Sequence, residues 1–126
     1  MSIENLSIGE GELEIMKVIW DKGQEVSTGE ITKAVEEKGW KRTTISTFLT
    51  RLVDKGALKS RKEGNFYYYT AQISKKDYCS VKTKSLISTL FGGSAKALCA
   101  SLFEEGKLSE KDIEELRAIF TKGDKE

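Results

Sequence analysis

The apolar positions in the first half of the chain recur with the roughly 3.6-residue period of a helix in three stretches. Leu13, Met16, Ile19 and Trp20 form the first stripe, which Asp21-Lys22-Gly23 closes. Ile31, Ala34 and Val35 form the second, on a helix expected from Thr28 to about Lys38 with Gly39 as its stop. In the third, Ile45, Phe48, Leu49, Leu52 and Val53 fall at i, i+3, i+4, i+7 and i+8. One face of a helix from Thr43 to Lys55 is therefore apolar, and Gly56 supplies its left-handed stop. Leu58 to Arg61 then reads as a short strand, Glu63-Gly64-Asn65 as a turn, and the aromatic run Phe66, Tyr67, Tyr68, Tyr69 as the returning strand of a hairpin.

Three further helices are expected after the hairpin: Ser74 to Phe91 ended by Gly92-Gly93, Ser94 to Glu105 ended by Gly106, and Glu110 to Lys122 ended by Gly123. Their apolar stripes are Val81, Leu86, Leu90; then Ala95, Leu98, Cys99, Leu102; then Ile113, Leu116, Phe120. Four helix starts carry a hydroxyl three residues ahead of an acid, the spacing of a capping box: Ser7/Glu10, Ser27/Glu30, Ser74/Asp77 and Ser109/Asp112. The chain thus reads as mainly α, divided into residues 1–73 and 74–126. Three helices in so short a stretch bury too little among themselves to be stable alone. They call for a partner, and a second copy is the economical one because a two-fold interface reuses a single self-complementary patch.

The polar side of the third helix points to chemistry. Opposite its apolar stripe stand Thr43, Ser46, Thr47 and Thr50, with Thr44 beside them, short groups that reach base edges and phosphates with little loss of side-chain entropy. Arg42 and Arg51 flank that face, and the hairpin is expected to carry Lys59, Arg61 and Lys62 into solvent. At about 1.5 Å per residue, a helix from Thr43 to Lys55 is about 20 Å long, enough to lie in a major groove.

Charge strengthens this reading where the total of +1 would weaken it. Residues 1–40 hold 4 Lys/Arg against 9 Asp/Glu, residues 41–62 hold 7 against 1, and residues 63–126 hold 10 against 10. The basic excess is confined to the segment with the hydroxyl face, and affinity for a polyanion follows the local field.

Other classes are disfavoured. The chain has no histidine, hence neither the commonest general base nor the commonest transition-metal ligand. There is no paired-carboxylate site, glycine-rich phosphate loop or nucleophile with an activating base, so no enzyme, metal or cofactor is expected. Cys79 and Cys99 lie in apolar stripes without CxxC spacing and read as buried thiols. A redox role has only Lys75, Lys76 and Lys82 as nearby cations. No apolar run approaches the ~18 residues of a membrane span, and no signal pattern precedes the first helix, so a cytoplasmic protein without a membrane partner is expected.

Three blocks resemble the penicillinase-repressor family, which includes the methicillin-resistance and copper-homeostasis repressors of bacteria. They are Leu13-Glu14-Ile15-Met16-Lys17-Val18-Ile19-Trp20, the run Thr43 to Leu58, and Lys62-Glu63-Gly64-Asn65-Phe66-Tyr67-Tyr68-Tyr69-Thr70. Leu108-Ser109-Glu110 and Ile113-Glu114-Glu115-Leu116 extend the likeness to the last helix. The resemblance implies a winged helix-turn-helix domain, with the hairpin as wing, followed by a helical dimerisation domain. It also implies a homodimer on an inverted-repeat DNA operator that blocks transcription. The dimerisation residues would be Val81, Leu86, Leu90, Leu98, Leu102, Ile113, Leu116 and Phe120.

Two departures bear on regulation. Copper-responsive members end in CxC elements, whereas this chain finishes Thr121-Lys122-Gly123-Asp124-Lys125-Glu126. In antibiotic-responsive members a sensor-linked protease cuts an Asn-Phe bond, and the corresponding pair here is Ser101-Leu102, which also reads as an ordinary apolar helix position with a small neighbour. The alternative function is a winged-helix adaptor that uses the same surface for protein contacts.

Overall fold

The computed structural model describes residues 6–124. Its elements run α1 (Glu10–Lys22), β1 (Val26–Ser27), α2 (Thr28–Ala34), a 3-10 turn (Glu36–Lys38), α3 (Arg42–Asp54), β2 (Leu58–Glu63), β3 (Phe66–Ala71), α4 (Lys75–Leu90), α5 (Ala95–Glu104) and α6 (Glu110–Asp124). They divide into two compact units, one up to Val81 and one from Lys82.

In the first unit the three apolar stripes meet. Ile15, Met16 and Ile19 from α1, Ile31 from α2, and Ile45, Leu49 and Leu52 from α3 form a core closed by Val26, Val35, Ala57, Leu58 and Tyr78. The α1 stripe is rotated from its expected setting: Ile15 is fully buried, while Leu13 and Trp20 are only partly covered. The Trp20 indole donates to the Ile73 carbonyl (2.9 Å), and its ring lies 5.8 Å from that of Tyr78. Phe48 is also only half-buried, packing edge-on to Trp40 with ring centroids 5.2 Å apart.

The expected hairpin is present with six-residue strands, from Leu58 opposite Ala71 to Glu63 opposite Phe66. Gly64 leads its two-residue turn at φ +62°, and Asn65 keeps a negative φ, which is the II′ pattern that matches strand twist. A third strand joins the hairpin: β1 pairs antiparallel with β3, Val26 opposite Tyr69, giving the order β1-β3-β2. Two residues are too short for alternation to register. Three helices and this small sheet make a winged helix.

Helix ends account for several corrections. Ser27 and Glu30 form the expected capping box at α2. At α1 the cap is Gly9, not Ser7, and the Gly9 N–H donates to the Glu12 carboxylate (3.1 Å). α2 ends at Ala34, which is exposed, and the chain tightens into i→i+3 bonds through Lys38. α3 starts one residue early, at Arg42, and α6 continues through Gly123 to Asp124.

The second unit contains the rest of α4 with α5 and α6. Ser94 caps α5, and Ser109 and Asp112 exchange the two bonds of a capping box at α6. Among its described side chains none is buried. Of the expected dimerisation set, Val81, Leu98, Ile113 and Leu116 are half-buried and Leu86, Leu90 and Leu102 exposed; the Phe120 side chain lies outside those described. Cys79 and Cys99 are exposed, contrary to expectation. α5 buries no residue, and Tyr78, not its neighbour Cys79, occupies the inward position of α4. No single helix among the described residues is long and apolar enough to cross a membrane.

Phe48 packs closely against the first turn of α1. A Cβ added at Gly11 would lie 2.5 Å from the tip of the Phe48 ring. Gly11→Ala should therefore cost about 1–3 kcal/mol by overpacking. In a Phe48→Leu background that cost should largely disappear; equal losses of melting temperature in both backgrounds would locate the clash elsewhere.

Glu12 is the only buried charged residue among those described, at 4% exposure. Burial pushes its carboxyl pKa up, but hydrogen bonds from the Lys55 ammonium and the Gly9 N–H, with the charges of Lys55 and Arg51, outweigh burial and hold it below its ordinary value of 4.5. Its stabilising contribution is then complete above pH 4.5 and fades as pH falls through the lowered folded value. Glu12→Gln should cost roughly 1.5–3 kcal/mol at neutral pH. In denaturant melts the gap from wild type should narrow as the pH is taken below 4.5; a gap constant down to acid pH would refute the ionic role.

Candidate nucleic-acid interface

α3 is held from behind by Ile45, Leu49 and Leu52, so its opposite face is turned out of the unit. Arg42, Thr43, Ser46, Thr47, Thr50 and Arg51 are exposed on it, and Thr44 is half-buried at its edge. The Thr47 hydroxyl donates to the Thr43 carbonyl (2.8 Å). Its hydrogen is spent inside the helix, and the oxygen lone pairs and the methyl are what it can offer outward. Lys41 caps α3 without a side-chain hydrogen bond. The positive pole of the helix therefore lies beside Lys41 and Arg42, a field that favours anions.

The wing sorts its cations by strand alternation. Leu58 is buried, so Leu58, Ser60 and Lys62 share one face of β2, with Tyr69 and Tyr67 opposite the last two. Ser60, Tyr67 and Tyr69 line a groove with Ser46, Thr50 and Val53 of α3. Lys62 thus belongs to the side of the wing that faces α3, with its ammonium 5.7 Å from the Tyr67 ring. Lys59 and Arg61 belong to the other side. The sequence pattern sends all three into solvent without separating the two sides.

Arg61 differs from the others again. Its guanidinium makes a two-pronged contact with Glu25, 3.0 Å from Nε and 2.7 Å from Nη2, and a third with Glu63 at 2.8 Å from Nη1. It also lies 4.7 Å from the centre of the Tyr68 ring. The Arg61 hydrogen bonds hold the Glu25 carboxyl below its ordinary pKa, and donating to Glu25 and Glu63 raises the guanidinium pKa above its already high value. By contrast, Arg42, Arg51, Lys59 and Lys62 have no ion pair among the described residues. Five cations without an ion pair among the described residues, Lys41 included, and a row of hydroxyls therefore surround α3 and the wing.

A second groove, between α2 and the start of α3, is lined by Thr28, Thr32, Lys33, Arg42 and Ser46. Sequence reading did not single out Thr28, Thr32 or Lys33. Their only signal was position on the helix preceding α3. No group of three His, Cys, Asp or Glu among the described residues could hold a metal ion.

Comparison with known proteins agrees with this architecture. The family model described as penicillinase repressor matches residues 8–122. A penicillinase repressor of Bacillus licheniformis is 38% identical over 113 residues, 89% of this chain and 88% of that protein. The methicillin resistance regulatory protein MecI of Staphylococcus aureus (strain N315) is 30% identical over 122 residues, 97% of this chain and 99% of its own length. Among solved structures, the DNA-binding domain of the repressor BlaI is 43% identical and superposes with a TM-score of 0.52 over 58% of this chain and 89% of that one. The chain belongs to the penicillinase repressor family.

Proposed function

We propose that this chain is a homodimeric transcriptional repressor that lays α3 in the major groove of an inverted-repeat operator and steadies itself on the flanking phosphates. The observation that carries this is the exposed face of α3, where hydroxyls at Thr43, Ser46, Thr47 and Thr50 lie between Arg42 and Arg51, neither of which makes an ion pair among the described residues. Thr44 sits at the margin of the contact. Lys59 and Lys62 reach the backbone from the wing. Hydroxyls discriminate bases less sharply than a bidentate Arg or Asn, so half-site spacing and DNA shape supply part of the preference. The family, with its penicillinase and methicillin-resistance repressors, supports the same reading.

The second unit is the proposed dimerisation surface. It buries none of its described side chains, and Leu90, Phe103 and Ile119 are 69, 47 and 63% exposed. Ser101-Leu102, the proposed point of cleavage by a sensor-linked protease, lies within α5 with Leu102 exposed. Cutting there requires local unwinding of that helix, and it would disable the interface from within.

Binding to duplex DNA from upstream of its own gene tests the first part. Arg51→Ala should weaken every duplex alike and lower the salt slope by about one unit per protomer. Thr47→Ala should change the ranking of sequences by an equivalent of about 1–3 kcal/mol. If both variants bind every duplex as wild type does, α3 is not the reading helix. Sedimentation tests the second part: Ile119→Asp should weaken self-association by at least about thirtyfold, or ~2 kcal/mol. An unchanged dimer, or a monomeric wild type at micromolar concentration, would overturn the interface.

A further inference from the structure

We propose that Arg61 is a wing-positioning residue and not a phosphate ligand: its two-pronged contact with Glu25 ties the hairpin to the start of β1 and so sets where the wing's free lysines stand. The inference rests on the DNA-binding reading above, and it removes one cation from the set that sequence alone assigned to DNA.

Glu25 immediately precedes β1, Arg61 is on β2, and Tyr68 of β3 lies between them, opposite both Arg61 and Ser27. The guanidinium therefore crosses the whole width of the sheet over the Tyr68 ring, 4.7 Å from its centre, to reach Glu25. A second contact to Glu63 fastens the same group to the end of its own strand. Three of its five N–H groups are thereby engaged, and the planar fork fits a carboxylate in a way that a lysine ammonium does not. This side of the sheet is the one turned away from the α3 groove, whereas Lys62 stands on the groove side. β1 and α2 share the Ser27 cap, so the clamp refers the wing to the helix that precedes α3.

Bare carboxylates at the root of a DNA-contacting wing would repel phosphate, so the sign of the Glu25 effect separates the two roles. If Arg61 positions the wing, Glu25→Gln and Arg61→Gln should each weaken DNA binding, by roughly three- to tenfold. Both should leave the slope of log affinity on log salt at the wild-type value. Lys62→Gln should lower that slope by about 0.9 per protomer. The exchanged pair Glu25→Arg with Arg61→Glu should recover most of the lost affinity. If Arg61 meets phosphate instead, Glu25→Gln should tighten binding by releasing it, Arg61→Gln should lower the slope by about 0.9, and the exchanged pair should be worse than either single change. Any of these results overturns the proposal.

Amide exchange on the DNA-free protein gives a readout independent of DNA. Both single variants should exchange faster along β1 and β3 while the amides of α1 and α3 keep wild-type protection. Unchanged exchange in the sheet would sink the clamp even if DNA binding held. Faster exchange with a wild-type protein that ignores duplex DNA would retain the clamp and reject the DNA-binding reading.

Discussion

A carboxylate buried between two helices governs how this winged helix is assembled. Glu12 sits where α1 begins and meets Lys55 where α3 ends, and its other bond closes the first turn of its own helix at Gly9. A buried carboxylate deprived of those donors would be strongly destabilising, so α1 and α3 are held at one mutual offset. The apolar seam of Ile15, Met16, Leu49 and Leu52 drives the helices together without fixing a register, since apolar burial is non-directional. The ion pair and the close approach of Phe48 to Gly11 supply the direction. With α3 fixed in rotation, its hydroxyl face must point out of the unit.

The same distinction between driving force and direction runs through the charges. In the basic segment 41–62, Lys55 and Arg61 are occupied with Glu12 and with Glu25 and Glu63. Lys41, Arg42, Arg51, Lys59 and Lys62 make no ion pair among the described residues and are left for a partner. A cation already satisfied by a carboxylate releases little counterion when it meets DNA, so the effective basic surface is smaller than the residue count suggests.

Much of this was legible in the sequence. The three stripes, the Ser27 box, the Gly64 turn and the outward hydroxyls of α3 follow from local periodicity and turn chemistry, which act within a few residues. The parts that were missed depend on pairs remote in sequence. Glu12 looks like surface charge until Lys55, 43 residues away, is placed beside it. Arg61 looks like a wing cation until Glu25, 36 residues away, takes its guanidinium. β1 has no periodicity of its own and exists because Tyr68 and Tyr69 offer it an edge. The exposed Cys79 and Cys99 show the converse: an apolar stripe marks a face but does not say whether the same chain covers it.

That uncovered face matters to the proposed function because the reading helix is a weak discriminator alone. A row of threonines and serines distinguishes base pairs by modest amounts, so one protomer on one half-site would compete poorly with the excess of other sequences in a genome. Joining two such modules makes the second contact intramolecular, and the gain can reach about 10²–10⁴ without any new base contact. The second unit, with no buried side chain among those described, is stable only to the extent that its apolar surface is covered. Under the proposed function, self-association and operator occupancy would be one equilibrium. The proposed cut in α5 would then remove the greater part of the affinity without touching the proposed DNA-binding surface.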